Sequence, residues 1–335
     1  MLFRSRLAAL SALAAGAHGW NWYMLVNRDN WYMAPVNEWG RTHEELGRVF
    51  REMAAIFLKL DPPRLKHLTE VGVVADKMHR AARGMRHEGS AAQALYDAGI
   101  DYEIFNPATE RFAKKILFYD GNQWLERRAH ERLLAVVRRG GILVAFRDFP
   151  RKDERMQPCA ILGFCEPSGH LIEFRKKIRV VLGRGLEAEG TGSAYVFSNP
   201  PGRPLRARLS PGGWETVGYE RRVGKGRILH VGVEASPALV EAVLRFYKVP
   251  CYARALGRAV KTALFRAGRR FYLIALNLGE TNCTAAVRMP ALARAKKRYR
   301  LRNLGSGKID AIPHGAQGPV CFELARKDGA AFEIF

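Results

Sequence analysis

Between Glu70 and Phe146 the chain repeats one alternation. Strand-like apolar runs at Glu70–Ala75, Tyr102–Asn106, Lys115–Tyr119 and Gly141–Phe146 are separated by helix-like stretches around Ser90–Ala98 and Gln123–Arg138. Gly99 and Gly140-Gly141 stand where those helices should end. Short strands interleaved with helices imply a parallel sheet covered by helices. Further on, GKGRILHVGVE (224–234) reads as one more buried strand and Pro237–Tyr247 as a helix beside it. The intervening Phe149–Arg222 is rich in Gly, Pro and short strand patterns, and is expected to be a long irregular insertion.

From Cys251 the pattern becomes all strand. Val260–Arg266, Arg270–Leu278, Cys283–Met289, Arg298–Asn303, Val320–Leu324 and Ala331–Phe335 are punctuated by Ala267-Gly268 and Gly305-Ser306-Gly307. Short strands at this density predict a small β-sandwich.

The first 62 residues are harder to place. MLFRSRLAALSALAAGAHG has two early arginines, an apolar stretch from Leu7 to Ala15 and small residues before Trp20, which is the pattern of a secretory signal. It also fits a helix: Leu7, Leu10, Ala14 and Ala17 fall near helical spacing, with Gly16 or Gly19 to end it. The helix is the preferred reading, because WNWYMLV (20–26) follows as a buried strand, and a helix feeding a strand through Gly is a unit of parallel α/β folds. After an aromatic, polar loop, Thr42 and Glu45 predict a capping box. Leu46, Val49, Phe50, Met53, Phe57 and Leu60 then share one helical face until Asp61-Pro62-Pro63 stops it. One strand and two helices cannot close a core, so this segment is expected to end something larger or to dock on something absent.

Composition narrows the function classes. The 335 residues carry 55 Lys and Arg against 32 Asp and Glu, a net charge of +23, which raises polyanion binding as a possibility. The densest runs, Arg175–Arg179 and Arg294–Arg302, interleave with apolar residues at strand spacing and read as solvated strand faces instead. No apolar run reaches the roughly 18 residues of a membrane span. Cys159, Cys165, Cys251, Cys283 and Cys321 are odd in number and lack CxxC spacing. That argues against a disulfide framework or a zinc site and for buried thiols in a reducing, cytoplasmic setting. The nine histidines show no metal spacing, and no cofactor is expected.

The stretch GWNWYMLVNRDNWYMAPVNEWGR (19–41) resembles the eighth strand and following loop of glycoside hydrolase family 35. That family reads close to N-x-Y-M-x-x-G-G-T-N-F, then D-A-P-L-D-E-Y-G. Asn21, Tyr23 and Met24 match the first part, Asn30 and Trp31 align with its N-F, and Ala34–Gly40 match the second. Asn27-Arg28-Asp29 departs from Gly-Gly-Thr. The order of the later segments is similar to family 42, whose barrel is followed by an amidotransferase-like domain and a small β domain.

The resemblance implies an α/β chain in three parts. Residues 1–62 are expected to be the last helix, strand and helix of a (β/α)8 barrel. Residues 63–250 are expected to form a flavodoxin-like or amidotransferase-like doubly wound domain with an insertion, and 251–335 a C-terminal β-sandwich. Barrel ligands sit at the C-terminal ends of the strands. Tyr23, Asn27, Arg28, Asn30 and Trp31 lie near or after such an end, and aromatic and amide groups suit a sugar's flat faces and hydroxyl edges. The catalytic glutamates of these enzymes come from strands four and seven, which would precede Met1, so no catalytic residue is assigned. Asn37-Glu38-Trp39-Gly40 looks like an acid/base motif but sits in the loop context instead. The expected partners are a carbohydrate substrate in the full-length enzyme and further copies of the chain in a homo-oligomer, with no nucleic acid and no membrane. The alternatives are a non-catalytic carbohydrate-binding protein and a polyanion-binding protein.

Overall fold

The computed structural model describes the chain apart from residues 1, 20–25, 27–33, 77, 80–89, 108–113, 172–176, 184–185, 192, 209–212, 294–298 and 313–317. The longer helices are α1 (Leu2–Ala14), α2 (Glu44–Leu60), α3 (Ala91–Asp97), α4 (Arg127–Arg138) and α5 (Pro237–Phe246). The chain divides into two compact units: Thr69–Pro250, and a second that unites Met1–Leu68 with Cys251–Phe335. The first and third segments of the sequence reading thus fall in one unit.

The Thr69–Pro250 unit is built on a nine-stranded sheet. Its strands are β1 (Val71–Val74), β2 (Glu103–Phe105), β3 (Ile116–Tyr119), β4 (Ile142–Phe146), β5 (Lys177–Gly183), β6 (Leu186–Thr191), β7 (Arg203–Arg208), β8 (Trp214–Val223) and β9 (Gly226–Val231). They lie in the order β2-β1-β3-β4-β9-β8-β7-β5-β6. The first five are parallel and the rest antiparallel. Successive residues of β3 and β4 point to opposite faces, and both faces are apolar because both are covered. Ile116, Phe118 and Val144 meet Leu95 of α3 and Leu239 and Val243 of α5. Leu117, Leu143 and Ala145 meet Ala129, Leu133 and Val137 of α4. Ser90 caps α3 by accepting from the Gln93 N–H at 3.1 Å, and Ser236 caps α5 in the same way.

The stretch expected to be irregular supplies β5 to β8, which continue the same sheet. In β5 and β7 apolar residues alternate with basic ones. Ile178, Val180 and Leu182 are buried while Arg179 is exposed, and Leu205 and Ala207 are buried between exposed Arg203, Arg206 and Arg208. The cationic side chains occupy the solvent face, as a half-covered antiparallel strand allows.

The other unit is a sandwich with a helical layer. Its strands are β10 (Val260–Ala267), β11 (Arg270–Asn277), β12 (Cys283–Arg288), β13 (Arg300–Asn303), β14 (Ile309–Ala311), β15 (Val320–Leu324) and β16 (Asp328–Ile334). Lys66–His67, β10, β11, β16, β13 and β14 form one sheet, and Arg254–Ala255, β12 and β15 the other. Leu264, Leu273, Phe332 and Ile334 face Val287, Val320 and Phe322 across the sandwich interior. The opposite face of the larger sheet carries Phe265, Tyr272, Ile274 and Leu276, against Leu10, Leu13, Met53, Ile56 and Leu60. The apolar faces of α1 and α2 are therefore covered by the chain's own sheet, which corrects the expectation that the segment docks on something absent and leaves the alternative, that it ends something larger.

The ends of α1 and α2 bear out one expectation and correct another. Gly16, at φ +93, closes α1, and the Ala17 N–H reaches back to the Ala12 carbonyl at 2.9 Å, as in a Schellman turn. Thr42 and Glu45 do not form the expected capping box. The N-cap of α2 is His43, with no side-chain cap bond, because the Thr42 backbone is engaged in a bridge with Val36.

Candidate functional site

The residues expected to contact sugar, Tyr23, Asn27, Arg28, Asn30 and Trp31, lie outside the described residues, as does the strand expected at Trp20–Val26 except for Val26 itself. Val26 forms a parallel bridge with Val36. The second half of the motif is described. Asn37 Oδ1 accepts from the Trp39 and Arg41 N–H groups at 3.1 and 2.8 Å, and Gly40 turns the chain at φ +79. Asn and Gly here serve a tight turn. Glu38 and Trp39 are exposed on its tip.

The described site with the most developed chemistry lies in the Thr69–Pro250 unit. It is a cleft of about 310 Å³, lined by residues that include Gln123, Arg147, Arg151, Glu166, His170 and Tyr195. It opens at the C-terminal ends of the parallel strands, where open α/β sheets bind ligands. Arg147 is the residue after β4. It takes φ +52, a left-handed conformation that is costly for a side-chain-bearing residue. The Arg147 N–H donates to the Val231 carbonyl at the end of β9 at 2.7 Å, which holds the turn closed.

The cleft walls come from three loops tied to one another. Gln123, after β3, accepts the Arg151 and Lys152 N–H groups on its carbonyl at 2.8 and 2.9 Å. Its side-chain oxygen accepts from Arg151 Nε at 3.1 Å. Arg151 also pairs with Glu166 and lies over the Phe164 ring, 5.3 Å from its centroid. The third wall is the ribbon Gly169–Leu171 with Ala194–Val196, anchored by the Tyr195 N–H on the Gly232 carbonyl at 2.8 Å. His170 and Tyr195 face each other across it, ring centroids 5.0 Å apart and tilted 44°.

Beneath the cleft, His230 of β9 is fully buried. Its Nε2 lies 3.0 Å from the Arg147 carbonyl, an acceptor only, so Nε2 carries the proton and donates. Phe149, Phe164, Phe197 and Tyr219 surround the ring at centroid distances of 5.2 to 5.9 Å. Burial drives the His230 pKa down to about 4, against a weaker opposing pull from the Arg147 carbonyl, so the ring is neutral at physiological pH. Burial acts to lower the Arg147 pKa too, but its hydrogen bond to Tyr195 and the charge of Glu234 outweigh that and raise it.

The arrangement does not set up a nucleophile. A sharp turn after a strand is where a nucleophile elbow places Ser or Cys, and here that position is Arg147. Cys165, nearby in sequence, has its thiol pushed up by burial and then by Glu166, the opposite of an activated thiolate. Of the five thiols, all free, only Cys159 is buried and Cys321 is exposed, which corrects the expectation of buried thiols. Among the described residues no group of His, Cys, Asp or Glu could hold a metal ion, and no helix is long and apolar enough to cross a membrane.

Comparison with known proteins turns on fold. The chain has the fold of about half of a β-galactosidase. It aligns over 98% of its length with 51% of the β-galactosidase of Bacillus circulans sp. alkalophilus, at TM-score 0.72 and 16% identity. It aligns over 99% with 51% of a GH42 β-galactosidase from G. stearothermophilus, at TM-score 0.69 and 15% identity. The α-L-fucosidase isoenzyme 2 of Paenibacillus thiaminolyticus is also similar, at TM-score 0.59 and 13% identity, over 99% of this chain and 57% of that one. The chain thus spans about half the length of the solved structures it matches. No protein-family profile and no curated protein matches it.

The cleft residues were not singled out by the sequence reading. Most of them, from Phe149 to Tyr195, fall within the stretch expected to be irregular, and Arg147-Asp148 stand between it and the preceding strand. The available signal was positional, since Arg147-Asp148 directly follow a fully apolar parallel strand.

Proposed function

We propose that this chain is part of a larger retaining glycoside hydrolase acting on terminal β-galactosides or related β-glycosides. The observation that carries the reading is the likeness of almost the whole chain to about half of β-galactosidases of known structure. The motif at residues 19–41 supports it independently. In this reading α1, the Trp20–Val26 strand and α2 are the tail of a (β/α)8 barrel. Tyr23, Asn27, Arg28, Asn30 and Trp31 then border its sugar site. The parallel strands of the other unit, β2-β1-β3-β4-β9, follow the order 2-1-3-4-5 of flavodoxin-like sheets. That unit serves assembly of a homo-oligomer.

A retaining mechanism needs two carboxyl groups about 5 Å apart. In this reading both glutamates belong to the part of the enzyme that this chain does not span, so the chain alone hydrolyses no glycoside. The test is a nitrophenyl β-galactoside assay on the chain by itself and on the chain joined to whatever reading frame its encoding DNA continues upstream. The expected result is turnover only in the joined form. Turnover by the chain alone, or an upstream frame without two glutamates at barrel strand ends, would refute the reading.

A further inference from the structure

The cleft at the ends of β4 and β9 has no role in the proposed hydrolysis, which rests on residues 20–33 and on a barrel. Its chemistry nonetheless selects a ligand. The lining carries two guanidiniums, Arg147 and Arg151, and two carboxylates, Asp148 and Glu166. Both guanidiniums are already matched, Arg147 by Glu234 and Arg151 by Glu166. An anion entering here would meet no uncompensated cation and would face the further carboxylate of Asp148. A neutral ligand bearing groups that both donate and accept has no such cost. It can accept from the guanidinium edges and donate to carboxylate and amide oxygens.

The apolar part of the lining points the same way. Phe149, Phe164 and Pro167 line the cleft together with the tilted ring pair His170 and Tyr195. Rings beside hydrogen-bonding groups whose guanidiniums are already paired suit a pyranose, with apolar C–H faces and hydroxyl edges. The volume of about 310 Å³ lies at the low end of small-molecule sites, about 300–1,000 Å³. It has room for one or two sugar rings. The site is also pre-formed: the left-handed turn at Arg147, the Gln123–Arg151 tie and the buried His230 beneath fix the walls before any ligand arrives.

We propose that this cleft is a binding site for a neutral mono- or disaccharide, separate from any site that hydrolyses glycosides. The experiment is calorimetric titration of the full chain with methyl β-galactoside, glucose and lactose, and with inorganic phosphate and citrate as anion probes. Hydrogen exchange of the 164–171 peptide is followed in parallel. The expected result is binding of at least one saccharide, slower exchange in that peptide, and affinity reduced tenfold or more in His170→Ala and Tyr195→Phe. His170 is exposed, so its loss leaves folding intact, and thermal melting checks both variants. The proposal is overturned if no saccharide binds, if phosphate or citrate binds in place of the sugars, or if both folded variants keep wild-type affinity. These outcomes are read on this chain alone, so they stand apart from the hydrolase test.

Discussion

His230 makes the Thr69–Pro250 unit sensitive to acid, with a size that follows from its burial. Its ordinary pKa is 6.5 and the folded value is about 4. At about 1.4 kcal/mol for each tenfold, that difference corresponds to about 3 kcal/mol. The sign follows from linkage. Above pH 6.5 the ring is neutral in both states and the full stability is present. As pH falls below 6.5, the unfolded chain takes up a proton that the folded chain refuses, so stability drops, and the loss is complete near pH 4. The comparison variant is His230→Phe, which keeps an aromatic body among Phe149, Phe164, Phe197 and Tyr219 but cannot titrate. It leaves the Arg147 carbonyl without its donor and should cost about 1–3 kcal/mol at neutral pH. The assay is urea unfolding at about pH 7.5 and about pH 4.5, read by hydrogen exchange of the Gly226–Val231 peptide. Wild type should lose most of the 3 kcal/mol between these conditions in excess of the variant, since carboxylates and His130 titrate equally in both. Equal losses would refute the assignment of the acid sensitivity to His230.

Three further changes test the packing. Met53→Ala removes a fully buried side chain between α2 and the larger sandwich sheet and should cost about 2–5 kcal/mol in thermal melting; a neutral result would mean that α2 does not dock there. Arg6→Met strips the guanidinium from buried Asp328, which keeps only local partners such as the Gly329 N–H, and should cost about 2 kcal/mol, reduced from the fully buried case because Arg6 is partly exposed. Gly226→Ala would place a Cβ 2.1 Å from the Val137 carbonyl oxygen and 2.2 Å from that of Gly141. Backbone cannot withdraw as a flexible side chain can, so the variant should lose soluble yield, whereas Gly213→Ala, facing open space, should not.

The strands with continuous apolar runs were legible because burial on both faces leaves only one reading for four or five such residues between Gly signals. β3 and β4 match their expected positions to within a residue at either end. β7 was not legible, and β5 was legible only at its start, where the basic run ending at Arg179 reads as a solvated strand face. Their apolar residues alternate with arginines, and Gly and Pro interrupt the stretch, so periodicity competed with composition and lost. The Thr42 capping signal failed for a different reason: a tertiary bridge to Val36 claimed its backbone first. The cleft is legible only in retrospect. Nothing local in Arg147-Asp148-Phe149 announces a left-handed turn, which exists because the Val231 carbonyl and His230, the latter 83 residues away, hold it.

The segment that walls the cleft leaves the sheet after β4 and its strands lead back to β9, the immediate neighbour of β4. The β4–β9 pairing, Ile142 to Phe146 against Arg227 to Val231, is therefore indifferent to how many residues the excursion contains. Insertions and deletions there can reshape what the cleft admits while the hydrogen-bond ladder beneath stays in register. Such a layout lets recognition drift between descendants of one gene at a speed the core would never tolerate.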